Sequence, residues 1–201
     1  MKRVIAVDID DVLAASVKTW VRYSNERWGT KLSVEDYEED WAKTWGVDYE
    51  EAERRAAELH KSGLLATYGH FAEAHEVLSG LSRRFKLIVT SARIEDVRAE
   101  TLAWLDDNYG GIFEEVHLAG FYDKGPHKDA VRMTKAGLLK SLGAGYLIDD
   151  QPKHCLAAAE ADIEAVLFGN YSWNRGIGRL PAGVTRCADW AAVKEFFDKI
   201  A

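Results

Sequence analysis

A run of four apolar residues, Val4-Ile5-Ala6-Val7, leads directly into Asp8-Ile9-Asp10-Asp11. The apolar run has the length and character of a buried parallel strand. Carboxylates at its carboxyl end fall where open α/β sheets place their ligands. Burying three of them at one point is costly unless a cation or a transferred group is held there. This segment therefore predicts a metal-assisted reaction site on the edge of a parallel sheet.

The rest of the chain supplies such a sheet. Arg3–Val7, Lys86–Thr90, Glu115–Leu118, Tyr146–Ile148 and Ala165–Phe168 read as strands. Helical patterns follow most of them, at Glu95–Asn108, Lys128–Leu142, Lys153–Ala161 and Trp190–Ile200, the last capped by Asp189. Alternating strands and helices predict the α/β class, as a doubly wound, mostly parallel, Rossmann-like sheet. Residues 16–75 differ: they contain no convincing strand. Helix-like pieces lie at Val17–Trp28, Val34–Trp41 and Tyr49–Lys61, and four of the seven tryptophans fall there, Trp20, Trp28, Trp41 and Trp45. The expectation is a small helical cap, 16–75, inserted after the first strand of a catalytic core made of 1–15 and 76–201.

Bulk properties narrow the function. The formal net charge is −7 with no basic stripe, which argues against a nucleic-acid partner. A small anionic substrate stays compatible, because a bound divalent cation reverses the local field. No apolar stretch approaches the roughly 18 residues of a membrane span. The two cysteines, Cys155 and Cys187, have no ligand spacing and form no CxxC pair, so a reduced, cytoplasmic protein is expected. Among the six histidines no HExxH-type spacing occurs, and His154 is the one nearest an acid pair.

Three more signals fall at strand ends or helix starts. Leu87-Ile88-Val89 runs into Thr90-Ser91-Ala92-Arg93, Thr134-Lys135 opens a helical stretch, and Tyr146-Leu147-Ile148 runs into Asp149-Asp150-Gln151-Pro152. Together they fit phosphoryl transfer through an aspartyl phosphate. Asp8 is the expected nucleophile. Asp10 protonates the leaving oxygen and later activates water. Thr90 hydrogen-bonds a phosphoryl oxygen, and Lys135 offsets charge on nucleophile and phosphate. Spacing to Asp149 favours Lys135 over Lys124, Lys128 and Lys140. Asp8, Asp10, Asp149 and Asp150 form the expected Mg²⁺ set, an ion that prefers hard oxygen ligands. One of the last two binds directly while the other positions Lys135 or a metal-bound water, and the sequence does not say which. Ser91 and Arg93 are candidate substrate ligands, although a helix-capping serine and an exposed helix-start arginine fit the same positions.

This order of motifs (DxDxV, a strand ending in Thr-Ser, a lysine, a strand ending in Asp-Asp) resembles the haloacid dehalogenase superfamily over essentially the whole chain. The second acid, Asp10, implies its phosphatase branch, since the dehalogenases lack an acid there. Within it, the DIDDVL start, the helical cap, and LGAGYLIDDQPKH followed by LFGNYSWNR resemble the 5′(3′)-deoxyribonucleotidases. Asp11 stands where many superfamily members carry Gly or Thr, and Thr-Ser-Ala-Arg stands in place of Thr-Ser-Pro. The resemblance implies a cap pocket of aromatic residues that stacks on a nucleobase. Trp20 and Trp45 lead the candidates, with Tyr23, Trp28 and Trp41. The implied function is a Mg²⁺-dependent 5′-nucleotidase acting on (deoxy)nucleoside monophosphates. A phosphatase of another small metabolite is the alternative. A phospho-accepting signalling module is the more distant one, because such modules place the acid pair first in the chain. Exposed cap aromatics would also suit a homodimer contact.

Overall fold

The computed structural model describes residues 2–119 and 134–200. Strand β1 (Val4–Val7) ends in a tight turn whose Ile9 carbonyl accepts from the amides of Leu13 and Ala14, both at 2.9 Å. Asp11 lies in this turn at φ 55°. A short polar side chain tolerates that left-handed conformation better than most, which accounts for an acid where Gly is common. Its carboxylate accepts from Ser16 Oγ at 2.8 Å and from the Val17 amide at 3.2 Å. It thereby caps the first turn of helix α1 (Ser16–Trp28).

Strand β2 (Ala14–Ala15) pairs antiparallel with β3 (Gly69–His70). The chain thus leaves and returns at one point beside the turn. Between the two lie α1, a 3₁₀ turn at Val34–Asp36, α2 (Trp41–Trp45), α3 (Tyr49–Lys61) and a second 3₁₀ turn at Leu64–Thr67. The β2–β3 ribbon was not expected, since two residues per strand leave no periodic signal. The helix expected over Val34–Trp41 is instead one 3₁₀ turn and an irregular stretch. The following helix starts at Trp41 because the Asp40 carboxylate accepts from the Ala42 amide at 3.1 Å. This segment buries its own apolar cluster, built on Val17, Trp20, Val21, Ala42, Trp45, Ala52 and Leu59.

The chain continues through α4 (Ala72–Ser82), β4 (Lys86–Ser91), a 3₁₀ turn (Glu95–Val97), α5 (Arg98–Tyr109), β5 (Glu115–Leu118), α6 (Lys135–Ser141), β6 (Ala144–Asp149), α7 (Pro152–Glu160), β7 (Glu164–Phe168), α8 (Ser172–Arg175), β8 (Val184–Cys187) and α9 (Trp190–Asp198). Part of the helical stretch expected at Lys128–Leu142 lies outside the described residues, as do Lys124 and Lys128. Six strands form one parallel sheet in the order β5-β4-β1-β6-β7-β8. The order reverses between β1 and β6, so the crevice of this doubly wound sheet opens at the end of β1. Helix α4 and strand β8 were not anticipated. No helix among the described residues is long and apolar enough to cross a membrane.

Strand alternation decides which acids face which helix. Ile5, Val7, Leu87 and Val89 point into one core layer, with Leu78 of α4 and Phe197 of α9. Ala6, Ile88 and Leu147 point into the other, with Leu139 of α6 and Cys155 of α7. Continuing that second register puts Asp8, Thr90 and Asp149 on the face from which α6 approaches.

Candidate active site

Lys135, the first residue of α6, is buried, and its ammonium donates to Asp8 Oδ1 at 2.5 Å and also to Asp149 Oδ2. Thr134 sets its position, since the hydroxyl accepts from the Gly137 amide at 3.1 Å and starts the helix there. Burial opposes the charge on Lys135, but Asp149 and Asp8 together push its pKa above the ordinary range. Asp149 is fully buried, and burial by itself raises a carboxyl. The Lys135 charge, assisted by His154, outweighs that and holds Asp149 well below the usual carboxylate range. The Asp149 carboxylate also accepts from the Gln151 amide at 2.8 Å and lies 3.2 Å from His154 Nδ1. Asp149 is therefore occupied in fixing Lys135.

Asp8 is the less favoured partner of the shared lysine. Burial pushes its carboxyl up to about 6; Lys135 opposes the shift, and Asp149 and Asp10 add to it. Its second oxygen accepts from the Asp10 amide at 3.1 Å. Asp150 is buried as well, and burial together with Asp149, Asp8 and Asp11 raises its carboxyl well above the ordinary value. Its Oδ2 accepts from the Gln151 side chain at 2.9 Å and from Trp173 Nε1 at 2.6 Å. Among the described residues Asp150 forms no ion pair.

The loop after β7 braces this acid. Gly169 is at φ 82°, and a Cβ there would stand 2.2 Å from the Tyr171 ring. Tyr171 stacks on Trp173 with centroids 4.5 Å apart, and its hydroxyl donates to the Asp11 carbonyl at 2.8 Å. The Asn174 side chain donates through Nδ2 to the Asp150 carbonyl at 3.0 Å. The aromatics of LFGNYSWNR thus pack on one another and also reach the acid pair.

Thr90 is fully buried, and its Oγ1 has no hydrogen-bond partner among the described residues. A buried hydroxyl left unpaired is costly. Ser91, one residue on, accepts from the Arg93 amide at 3.3 Å and shapes the turn after β4. Arg93 grips Asp10: Nε donates to Oδ2 at 2.9 Å and Nη2 to Oδ1 at 2.8 Å. Burial raises the Asp10 carboxyl, but this guanidinium outweighs it and holds the group below its usual value.

Asp8, Asp10, Asp11, Arg93 and Asp150 line a cavity of about 680 Å³, a size typical of small-molecule sites. Trp20, Tyr37, Trp41 and Tyr68 contribute aromatic wall. Trp45 does not line it; its ring packs 5.1 Å from Trp41 and 6.0 Å from Trp20, and its Nε1 donates to buried Ser24 Oγ at 3.1 Å. Trp28 and Tyr23 pack against each other in the same cluster. Tyr37 and Tyr68 escaped sequence reasoning, since neither sits in a motif. Trp173 was legible only as part of the LFGNYSWNR stretch.

Hard carboxylate oxygens and a surplus of buried negative charge fit a small divalent cation. No group of three His, Cys, Asp or Glu among the described residues makes a complete cage. Mg²⁺ rarely needs one, since water and substrate phosphate usually fill its shell. Arg93 engages both oxygens of Asp10, and Lys135 and the Gln151 amide engage the two of Asp149, whereas Asp150 faces no cation among the described residues and Asp8 gives Lys135 one oxygen only, so Asp8 and Asp150 are the carboxylates that could hold the ion.

The family model described as 5′ nucleotidase, deoxy (pyrimidine), cytosolic type C protein matches residues 2–200. No curated protein matches the sequence. A haloacid dehalogenase-like family hydrolase from Streptococcus pneumoniae superposes with TM-score 0.69 at 14% identity, covering 98% of each chain. A HAD-superfamily hydrolase of subfamily IA from Geobacter sulfurreducens gives 0.63 at 18%, covering 100% of this chain and 97% of that one. The HAD-hydrolase YfnB from Bacillus subtilis, bound to magnesium, gives 0.64 at 12%, covering 98% and 99%. At these identities the superpositions establish the fold.

Proposed function

The chain belongs to the family of the deoxy (pyrimidine), cytosolic type C 5′-nucleotidases, and from that premise we propose that it hydrolyses (deoxy)nucleoside 5′-monophosphates through a phosphorylated Asp8. Membership makes it a phosphoric monoester hydrolase of the haloacid dehalogenase type. The observation that carries the finer reading is one cavity with two kinds of lining. Asp8, Asp10 and Asp150 contribute carboxylates, and Trp20, Tyr37 and Trp41 are among its aromatic residues. The first suit a phosphate held with a cation, the second an aromatic base.

In the proposed reaction Asp8 Oδ attacks phosphorus and the bond from phosphorus to the ester oxygen breaks. Asp10, ionised in the free protein, takes up a proton as the anionic phosphate enters beside it and gives that proton to the departing oxygen, releasing the nucleoside. Asp10 then takes a proton from water, whose oxygen attacks the aspartyl phosphate, frees inorganic phosphate and restores Asp8. Lys135 stays charged throughout and neutralises part of the phosphate charge. The Thr90 hydroxyl donates to a phosphoryl oxygen, which gives its unpaired Oγ1 a partner in the complex. Asp8 and Asp150 would hold Mg²⁺, which would supply electrostatic stabilisation of the transferring phosphoryl group. The helices between β2 and β3 form a cap over the sheet edge, and their aromatics Trp20 and Trp41 receive the base.

A panel of phosphate esters, assayed with and without Mg²⁺, tests the reading. Nucleoside 5′-monophosphates are expected to lead sugar phosphates in kcat/KM, and chelation is expected to remove activity. Equal or reversed preference would reject the substrate assignment.

Thr90→Val separates function from stability at the orphaned hydroxyl. The substitution removes an unsatisfied polar atom, so the melting temperature is expected to hold or rise. Turnover is expected to fall by about 10²-fold, the loss typical of one oxyanion donor. A lower melting temperature with intact turnover would assign Thr90 to the fold alone.

A further inference from the structure

The guanidinium of Arg93 is held on three sides. It makes the two-pronged contact to Asp10, donates through Nη1 to buried Thr101 Oγ1 on α5 at 3.2 Å, and lies 5.6 Å from the Tyr68 ring centroid. Its side chain is 8% exposed, against 38% for that of Asp10. The arginine is therefore packed in place, while the carboxylate opens to the cavity. A carboxylate offers about four lone-pair sites. The fork occupies one on each oxygen and leaves others free for the cavity side. It also removes the side-chain rotation that an aspartate in a loop would otherwise keep. A rigid planar fork does this, whereas a lysine makes a point contact.

We propose that Arg93 is a positioning residue: it fixes the Asp10 carboxylate in the orientation from which it protonates the departing oxygen. The proposal rests on the role given to Asp10 above. It differs from the sequence-based expectation that Arg93 binds phosphate or sugar, because the guanidinium faces the acid.

Leaving-group dependence tests it. An alkyl oxygen, as in a nucleoside 5′-monophosphate, must receive a proton as it leaves, whereas 4-nitrophenolate departs readily without one. For Arg93→Gln, the rate of nucleoside release in the first turnover is expected to fall about 10²-fold. The first-turnover rate of 4-nitrophenolate release is expected to change by less than about fivefold, steady-state kcat falls for both esters because water activation by Asp10 is common to them, and the half-saturating concentration should stay near wild type for both. The ratio of the two rates does not depend on the fraction of enzyme folded, so a destabilised variant still gives an answer. Arg93→Lys is expected to fall on the same side. Adding Arg93→Gln to Asp10→Asn is expected to cost the nucleotide reaction little more, since the acid is already gone. Equal losses in the two first-turnover rates, or a rise in the half-saturating concentration with those rates kept, would overturn the proposal in favour of a structural or phosphate-binding arginine. If Asp10→Asn itself left nucleotide turnover intact, the parent mechanism would fall and this inference with it. If Asp10→Asn lost turnover while Arg93→Gln did not, only the inference would fall.

Discussion

Asp8→Asn is expected to keep the fold and lose turnover by about 10⁴- to 10⁶-fold, as when a covalent nucleophile is removed. The amide is nearly isosteric, and Lys135 retains Asp149 as its ionic partner. The Asp8 carboxyl is pushed up to about 6 by burial, with Asp149 and Asp10 adding to the rise against Lys135. Its negative charge is therefore held at a cost in the free protein, and removing it should change the melting temperature little. What the variant loses is the oxygen that attacks phosphorus. Circular dichroism and a thermal melt, run beside the kinetics, check that the loss is chemical. Wild-type-like turnover would remove Asp8 from the reaction.

Lys135→Met is expected to lose both stability and activity. The ammonium is the shared cation of two buried carboxylates, and removing it leaves Asp8 without its cation and Asp149 with only His154 beside it. Breaking a buried pair from one side typically costs about 3–5 kcal/mol. The pH dependence has a definite sign. In the wild type, Asp149 is held low chiefly by Lys135, and the stability this brings is present above the unfolded value of 3.8 and lost as pH falls through the folded one. In the variant, burial and mutual repulsion raise both carboxyls above 3.8. A carboxyl raised in the folded state loses stability as pH climbs from its unfolded value through its folded one. The deficit of the variant is therefore expected to be larger at pH 8 than at pH 5. Urea unfolding at the two pH values measures it, and a deficit that shrinks as pH rises would contradict the pairing.

The parts of this site that were legible in the sequence are those carried by contiguous residues at strand ends. Asp8 and Asp10 follow an apolar run, and Asp149 and Asp150 follow another, so strand alternation and the crevice at the carboxyl ends of the strands bring them together on sequence grounds alone. Lys135 was chosen by order and spacing, and the shared contact to Asp8 and Asp149 explains why a lysine at that helix start has a place in the cluster. The division of labour within Asp149-Asp150 was not legible. It follows from which carboxylate points at α6 and which at the Trp173 indole, and that depends on packing. The Arg93–Asp10 contact joins residues 83 positions apart, and the Trp173–Asp150 contact joins residues 23 apart. Pairings of that kind leave no periodic trace in one chain.

Composition also cannot separate a cavity wall from a core. Trp20 and Trp45 looked alike in the sequence, yet Trp45 satisfies its indole N–H on Ser24 inside the cluster while Trp20 lines the cavity. Helix α4 was missed because Gly80 and Ser79 weaken its pattern; it nevertheless buries Ala74, Leu78 and Leu81 in the main core. Strand β8 is four residues at a sheet edge, with Val184 and Cys187 buried on opposite faces and Thr185 and Arg186 between them, a pattern with no alternation to stand out.

The most direct measurement is to mix Asp10→Asn enzyme with 4-nitrophenyl phosphate, whose leaving group needs no proton, and Mg²⁺, quench in acid within the first turnover, and map the peptides by mass. Loss of the water-activating acid should let the covalent species accumulate, with one phosphoryl group on the peptide containing Asp8 and none when Asp8→Asn is added. A phosphoryl group on any other residue, or hydrolysis that proceeds undiminished without Asp8, would contradict the mechanism.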